Sequence, residues 1–160
     1  MIGVLQHEVD DFPSSLRSYQ RELDVRRKLP GEEQSRVADT YHSIGILQHE
    51  IGNFTSSLQS HQCELDIRRK LPGEEQSRVA DNYHLIGVLQ NKLGDPTSSL
   101  QSHQNELEIR QKVLGEEHLS IADILSLIGV LQHRLKDFPS SLQSHQRELD
   151  IRRKLLGEEH

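Results

Sequence analysis

The 160 residues predict an all-α protein, a solenoid of antiparallel helix pairs. A gapless period comes first: Ile-Gly-Ile-Leu-Gln at Ile44 recurs as Ile-Gly-Val-Leu-Gln at Ile2, Ile86 and Ile128, each 42 residues from the next. The second half of the unit is as faithful, since residues 22–33 return as residues 64–75 with only Val25 changed, to Ile67. Within the period, apolar residues fall at three- and four-residue spacing, which marks one buried stripe on a helix. A period of about 20 to 50 residues means stacked supersecondary units, each burying its apolar face on its neighbours.

The unit at residues 37–78 shows each element in turn. Val37, Tyr41, Ile44, Leu47 and Ile51 make the stripe of a first helix. Gly52-Asn53 ends it by supplying a left-handed turn. Phe54-Thr55-Ser56-Ser57 opens a second helix, and other copies put Pro13 and Pro139 one residue after Phe, where a first-turn proline is tolerated. That helix is expected to carry Leu58, His61, Leu65 and Leu71 on one side. Arg68-Arg69-Lys70 fall in its last turn and Glu74-Glu75 precede the next helix, which suits the helix dipoles. Pro72-Gly73 closes the unit. By periodicity the copies are residues 1–36 (with a truncated first helix), 37–78, 79–120 and 121–160, in one continuous solenoid. A glycine inside a helix costs about 1 kcal/mol against alanine. Gly3, Gly45, Gly87 and Gly129 face Ser15, Ser57, Ser99 and Ser141 on the second helices, and small facing small predicts close backbone approach.

Composition narrows the function. Net charge is −6 with acids and bases interspersed, so no basic face is offered to a phosphate backbone. The lone Cys63 forms no internal disulfide, in keeping with a reducing compartment. The N-terminus lacks a basic flank and a long apolar run, and residues 124–131 are too short a stretch to span a bilayer. A soluble, cytoplasmic protein is the expectation.

The unit resembles the tetratricopeptide repeat, in the 42-residue form of kinesin light chains and nephrocystin-like proteins. Tyr41 and Tyr83, the Ile-Gly pair, Gly52 and Gly94, Phe12, Phe54 and Phe138, and the run Ile67-Arg68-Arg69-Lys70-Leu71 with Gly73-Glu74 carry the resemblance over the whole chain. It implies a right-handed superhelix. The sequence departs from the family pattern at Glu22, Glu64, Glu106 and Glu148, where alanine is usual, and at Gln6, Gln48, Gln90 and Gln132, where tyrosine is usual. His42-Ser43 and His84-Leu85 replace the paired asparagines of kinesin light chains, and no heptad segment for a motor chain is present. The chain begins and ends inside a unit, leaving Lys154-Leu155-Leu156 with no following helix; the expectation is part of a longer array, or stacking end to end.

Ten histidines raise the question of a metal. His42 and His49 lie two helical turns apart, about 10 Å along the axis, too far for one ion, so no metal site is expected. His61 and Glu64, near Gln48, recur as His103, Glu106 and Gln90 and as His145, Glu148 and Gln132, with Tyr19 in the first copy. A hydrogen-bonded polar layer between the helices is expected there, with mild sensitivity to pH near neutrality. Four near-identical sites give no single pocket or nucleophile, so no catalytic residue and no cofactor are expected. The Arg-Arg-Lys runs alternate with Asp24, Asp66 and Asp150 and read as a solvated helix face.

The resemblance further implies that first helices line a concave groove holding a protein or peptide partner, with no nucleic acid and no membrane. Carried over residue by residue, that groove is Asp39, His42, Ile46, His49 and Glu50 in the second unit. The third contributes Asp81, His84, Leu85, Val88, Asn91 and Lys92, and the fourth Asp123, Ser126, Leu127, Val130, His133 and Arg134. Ser43 and Glu8 belong to the same surface, which runs from acidic at its N-terminal end to basic at its C-terminal end. The expected function is a protein-interaction scaffold. The alternatives are a self-assembling structural array and the sensor segment of a larger signalling protein.

Overall fold

The structure is a computed structural model that describes residues 12–26, 34–71 and 76–157. It divides into two compact units, Met1–Pro72 and Gly73–His160. The first contains helices α1 (Phe12–Arg26), α2 (Gln34–Glu50) and α3 (Phe54–Arg68). The second contains α4 (Gln76–Lys92), α5 (Pro96–Leu114), α6 (Leu119–Arg134) and α7 (Phe138–Leu156). No strand occurs among the described residues, and the chain is an all-α solenoid of helix pairs: α2 packs on α3, α4 on α5 and α6 on α7. Between pairs, α1 packs on α2 and α5 on α6.

The turns inside the pairs follow from three residues. Gly52 and Gly94 take φ of +78° and +85°, and the Asn53 amide donates to the Gln48 carbonyl at 2.8 Å, closing the helix end. In the fourth copy Lys136 holds the same conformation at φ +64°. Asn53, Asp95 and Asp137 then cap the second helices, each accepting from the amide three residues on. Pro96 and Pro139 occupy the first turn, where no intrahelical donor is lost.

The first-helix stripe is buried at Val37, Tyr41 and Ile44, and its counterparts Val79 and Ile86, and Ile121, Leu125 and Ile128, are buried too. Leu23 joins Val37, Tyr41 and Ile44 in one core, with Leu16, Tyr19 and Ile67 packed against it. Ile121, Ala122, Leu125 and Ile151 make another, with Leu107 against them. The predicted stripe runs one position too far: Ile51 lies beyond the helix end and is exposed, as are Leu93 and Leu135.

The second helices differ more. The inward face of α3 is Ser57, Ser60, His61, Glu64, Leu65 and Arg68, while Leu58 is half-buried and Leu71 lies outside the helix. Serine and histidine face Gly45 there, where the helix pair approaches closely. Arg69 and Lys70 form a turn after α3 rather than its last turn, although α5 and α7 continue through Leu114 and Leu156. Gly3, Glu8, Pro72-Gly73 and Glu74-Glu75 lie outside the described residues.

Among the described residues, one buried side chain has no compensation. Asn82 is 1% exposed, and neither amide atom has a hydrogen-bond partner. At the same place in the preceding unit, Thr40 donates its hydroxyl to the Arg36 carbonyl at 2.9 Å. Asn82→Thr is therefore expected to raise stability by about 1–2 kcal/mol. A urea titration that shows a loss would contradict this account.

Candidate functional site

Glycine sets the geometry between paired helices. The Ser57 hydroxyl donates to the Gly45 carbonyl at 2.7 Å, and Ser99 and Ser141 do the same to Gly87 and Gly129 at 2.8 Å. The predicted contact of small with small is present, but it is only half the reason for the glycine. A Cβ on Gly45 would lie 2.6 Å from His61 Nε2, and one on Gly87 or Gly129 would meet His103 or His145 as closely. The imidazole occupies the space of the missing side chain.

Held there, His61 turns Nδ1 to Glu64 Oε2 at 3.0 Å. His42, on the facing helix, brings its own Nδ1 to the same oxygen at 3.1 Å. Arg68 donates from Nε to Glu64 Oε1 at 2.8 Å and from Nη2 to Asp39 at 2.8 Å. Glu64 and Arg68 are 2% and 3% exposed. The next unit repeats the layer: His84 and His103 on Glu106 Oε2 at 3.1 and 3.0 Å, and Arg110 bridging Glu106 and Asp81. In the fourth copy Ser126 replaces the first histidine. His145 and Arg152 still hold Glu148, and Arg152 still reaches Asp123. The first copy has Tyr19 in place of the buried imidazole.

The polar layer is thus present with a different membership from the one expected. Gln48, Gln90 and Gln132 lie outside it and accept from Ser60, Ser102 and Ser144. His42 and His84, assigned to the groove, belong to it. Arg68, read as a solvated charge, is at its centre.

Burial pushes the Glu64 carboxyl up, but hydrogen bonds from His42, His61 and Arg68 outweigh burial and hold it down to about 2. Glu106 is held down to about 2 in the same way by His103 and His84. The hydrogen bond to Glu64 raises His42 above its ordinary 6.5 despite partial burial, and Glu106 does the same for His84. The raised histidines stabilise the fold below about pH 6.5, an effect lost as pH rises through their folded values. The lowered carboxyls stabilise it above about pH 4.5, an effect lost as pH falls toward 2. Stability in chelator-containing buffer is therefore expected to peak between about pH 5 and 6.5. The alkaline decline should be shallow, because His42 and His84 are partly solvated. A urea midpoint that climbs from pH 6 to pH 8 would contradict the assignment.

The remaining predicted groove residues fall into two groups. Asp39, Asp81 and Asp123 are solvent-facing but paired with the arginines of the layer. The His49 and His133 rings stand 5.3 Å from Phe54 and Phe138. Ile46, Leu85 and Val88 are half-exposed, Leu127 and Val130 are exposed, and Glu50, Asn91, Lys92 and Arg134 lie at the helix ends in solvent. In the second unit an Arg134–Asn91 hydrogen bond ties the ends of α4 and α6, so their accessible side chains share a surface. A cavity of about 200 Å³ opens on this surface, lined by His84, Glu106, Arg110, Ser120, Asp123, Ile124 and Leu127. Among the described residues, no helix is long and apolar enough to cross a membrane.

The sequence profile described as tetratricopeptide repeat matches residues 1–70 and 78–154. The fold is similar to the crystal structure of BtubC (BKLC) from P. vanneervenii over 94% of this chain, with a TM-score of 0.76 and 20% identity. The chain spans 59% of the length of that structure. It is also similar to a crystal structure of MamA protein, with a TM-score of 0.60 and 14% identity over 98% of this chain and 81% of the other. At these identities the likeness is one of fold. No curated protein sequence matches the chain.

Proposed function

We propose that this chain, which belongs to the tetratricopeptide repeat family, is a cytoplasmic interaction scaffold that holds a segment of a partner protein against its first helices. The supporting observation is the accessible apolar strip on α4 and α6. Leu127 and Val130 are exposed three residues apart, on one helix face, and Leu85 and Val88 occupy the equivalent positions on α4. Lys92 and Arg134 border the strip at one end, Asp81 and Asp123 at the other. From Asp123 to Arg134 the helix rises about 16 Å, enough for about five residues of extended chain. A partner segment with an apolar centre, an acidic end toward Arg134 and a basic end toward Asp123 complements it, and charge would chiefly set orientation. The 42-residue period supports placing the chain with the kinesin light chain type of repeat. Peptides selected from a displayed library should share that pattern. Their affinity should fall at least tenfold when Leu127 and Val130 are both changed to Asp, a change that leaves buried positions untouched. Affinity unaltered by that pair would place the partner elsewhere.

A specific observation favours a second reading, end-to-end assembly. Leu142 and Leu149 of α7 are exposed, whereas their counterparts in α5, Leu100 and Leu107, are partly covered. Leu155 and Leu156 are exposed as well, but so are their counterparts Val113 and Leu114. Light scattering over a concentration series separates the readings, since growth abolished by a polar residue at Leu142 belongs to assembly and a constant mass near 18.4 kDa to the scaffold.

A further inference from the structure

Each complete layer brings three metal-ligating atoms to one point. The ligand atoms of His42, His61 and Glu64 lie within 4.8 Å of one another, and so do those of His84, His103 and Glu106. We propose that each triad binds a divalent first-row transition ion of the zinc, cobalt or nickel kind, two ions per chain.

The donors are of the right type. Two imidazole nitrogens and one carboxylate oxygen are a familiar protein set for such ions, leaving further positions to water. Ligands about 2.0–2.1 Å from a tetrahedral ion stand about 3.3 Å apart. The nitrogen–oxygen separations of 3.0 and 3.1 Å therefore need to open by only a few tenths of an ångström.

The donors are also held in place. His61 is buried against Gly45, and Arg68 holds the far oxygen of Glu64, so Oε2 alone faces the two imidazoles. Such outer contacts orient ligands and tune affinity. Among the hydrogen bonds described above, each complete layer sets two carboxylates beside one guanidinium. A proton on an imidazole can bring positive charge to the carboxylates; a divalent ion would bring two, with release of protons from the imidazoles. Access exists in both units, because His42 and His84 are partly exposed, and the 200 Å³ cavity opens beside His84 and Glu106.

The fourth copy is a comparison built into the chain. Ser126 stands where His42 and His84 do, leaving only His145 and Glu148 as donors. The full chain, stripped by chelator and titrated with cobalt(II), reads both coordination, through visible absorption, and stoichiometry, by equilibrium dialysis. Two ions should bind. His42→Ser or His84→Ser should leave one, the double variant none, and Ser126→His should add a third. Serine is the residue α6 already carries at this place, so circular dichroism should be unchanged in the histidine variants. Absence of bound cobalt in excess metal would overturn the proposal, leaving protons as the balancing charge. A count unaffected by the double substitution would overturn it too, assigning the ions to exposed histidines such as His133.

Discussion

Glu64→Ala is expected to destabilise the Met1–Pro72 unit by about 3 kcal/mol, the scale of breaking a buried ion pair by removing one partner. Alanine removes the common acceptor of His42, His61 and Arg68, and of these His61 and Arg68 are buried away from water. Asp39 still holds Arg68 Nη2, but Nε and the two imidazoles lose their acceptor. The fourth copy supplies the control. Glu148 is 17% and Arg152 33% exposed, so Glu148→Ala should cost nearer 1 kcal/mol. Denaturant titrations of the two variants decide the matter: equal losses would mean that burial does not set the strength of this layer.

For Gly87→Ala, helix propensity and packing predict opposite signs. Propensity favours alanine by about 1 kcal/mol. The new Cβ would stand 2.7 Å from His103 Nε2, and the ring cannot swing away without releasing Glu106. Overpacking of this kind costs about 1–3 kcal/mol, and a broken buried hydrogen bond adds a similar amount. The net expectation is a loss of about 2–4 kcal/mol. Adding His103→Ala removes the clash, so the double variant should be more stable than the sum of the single effects predicts, by more than 1 kcal/mol. Stabilisation by Gly87→Ala alone would refute the role given to the imidazole.

The fold was legible because the pattern that encodes it is copied. Gly45 and Ser57 recur in fixed register in every copy, so their contact could be inferred before any coordinate. The chemistry of the layer was harder to read. His42 was paired along its helix with His49, yet its partner is Glu64 across the pair, and that depends on helix rotation, which spacing alone does not give. Arg68 was absorbed into a basic run. The available signal was the four-residue Glu–Arg spacing, constant at Glu64–Arg68, Glu106–Arg110 and Glu148–Arg152 while Arg69 gives way to Gln111. Proximity in the sequence pattern puts Gln48 in the layer, but the Ser60 hydroxyl donates to its side-chain oxygen instead.

The side-chain bonds between α2 and α3 span 12 residues at Ser57–Gly45 and Ser60–Gln48, 22 at His42–Glu64 and 29 at Asp39–Arg68. They are ordered like the teeth of a zip, starting at the turn. Lengthening the closed loop from 12 to 29 residues costs only about 0.8 kcal/mol of chain entropy, so closure can run without a large barrier once the turn has formed. Local contacts of this kind belong to rapidly folding topologies. The Asp39–Arg68 clasp is then expected to close last and open first, so that Asp39→Ala should hasten unfolding in denaturant jumps while leaving the rate of folding nearly unchanged. On that order, the lifetime of the helix pair would be set at its far end and its speed of formation at the turn.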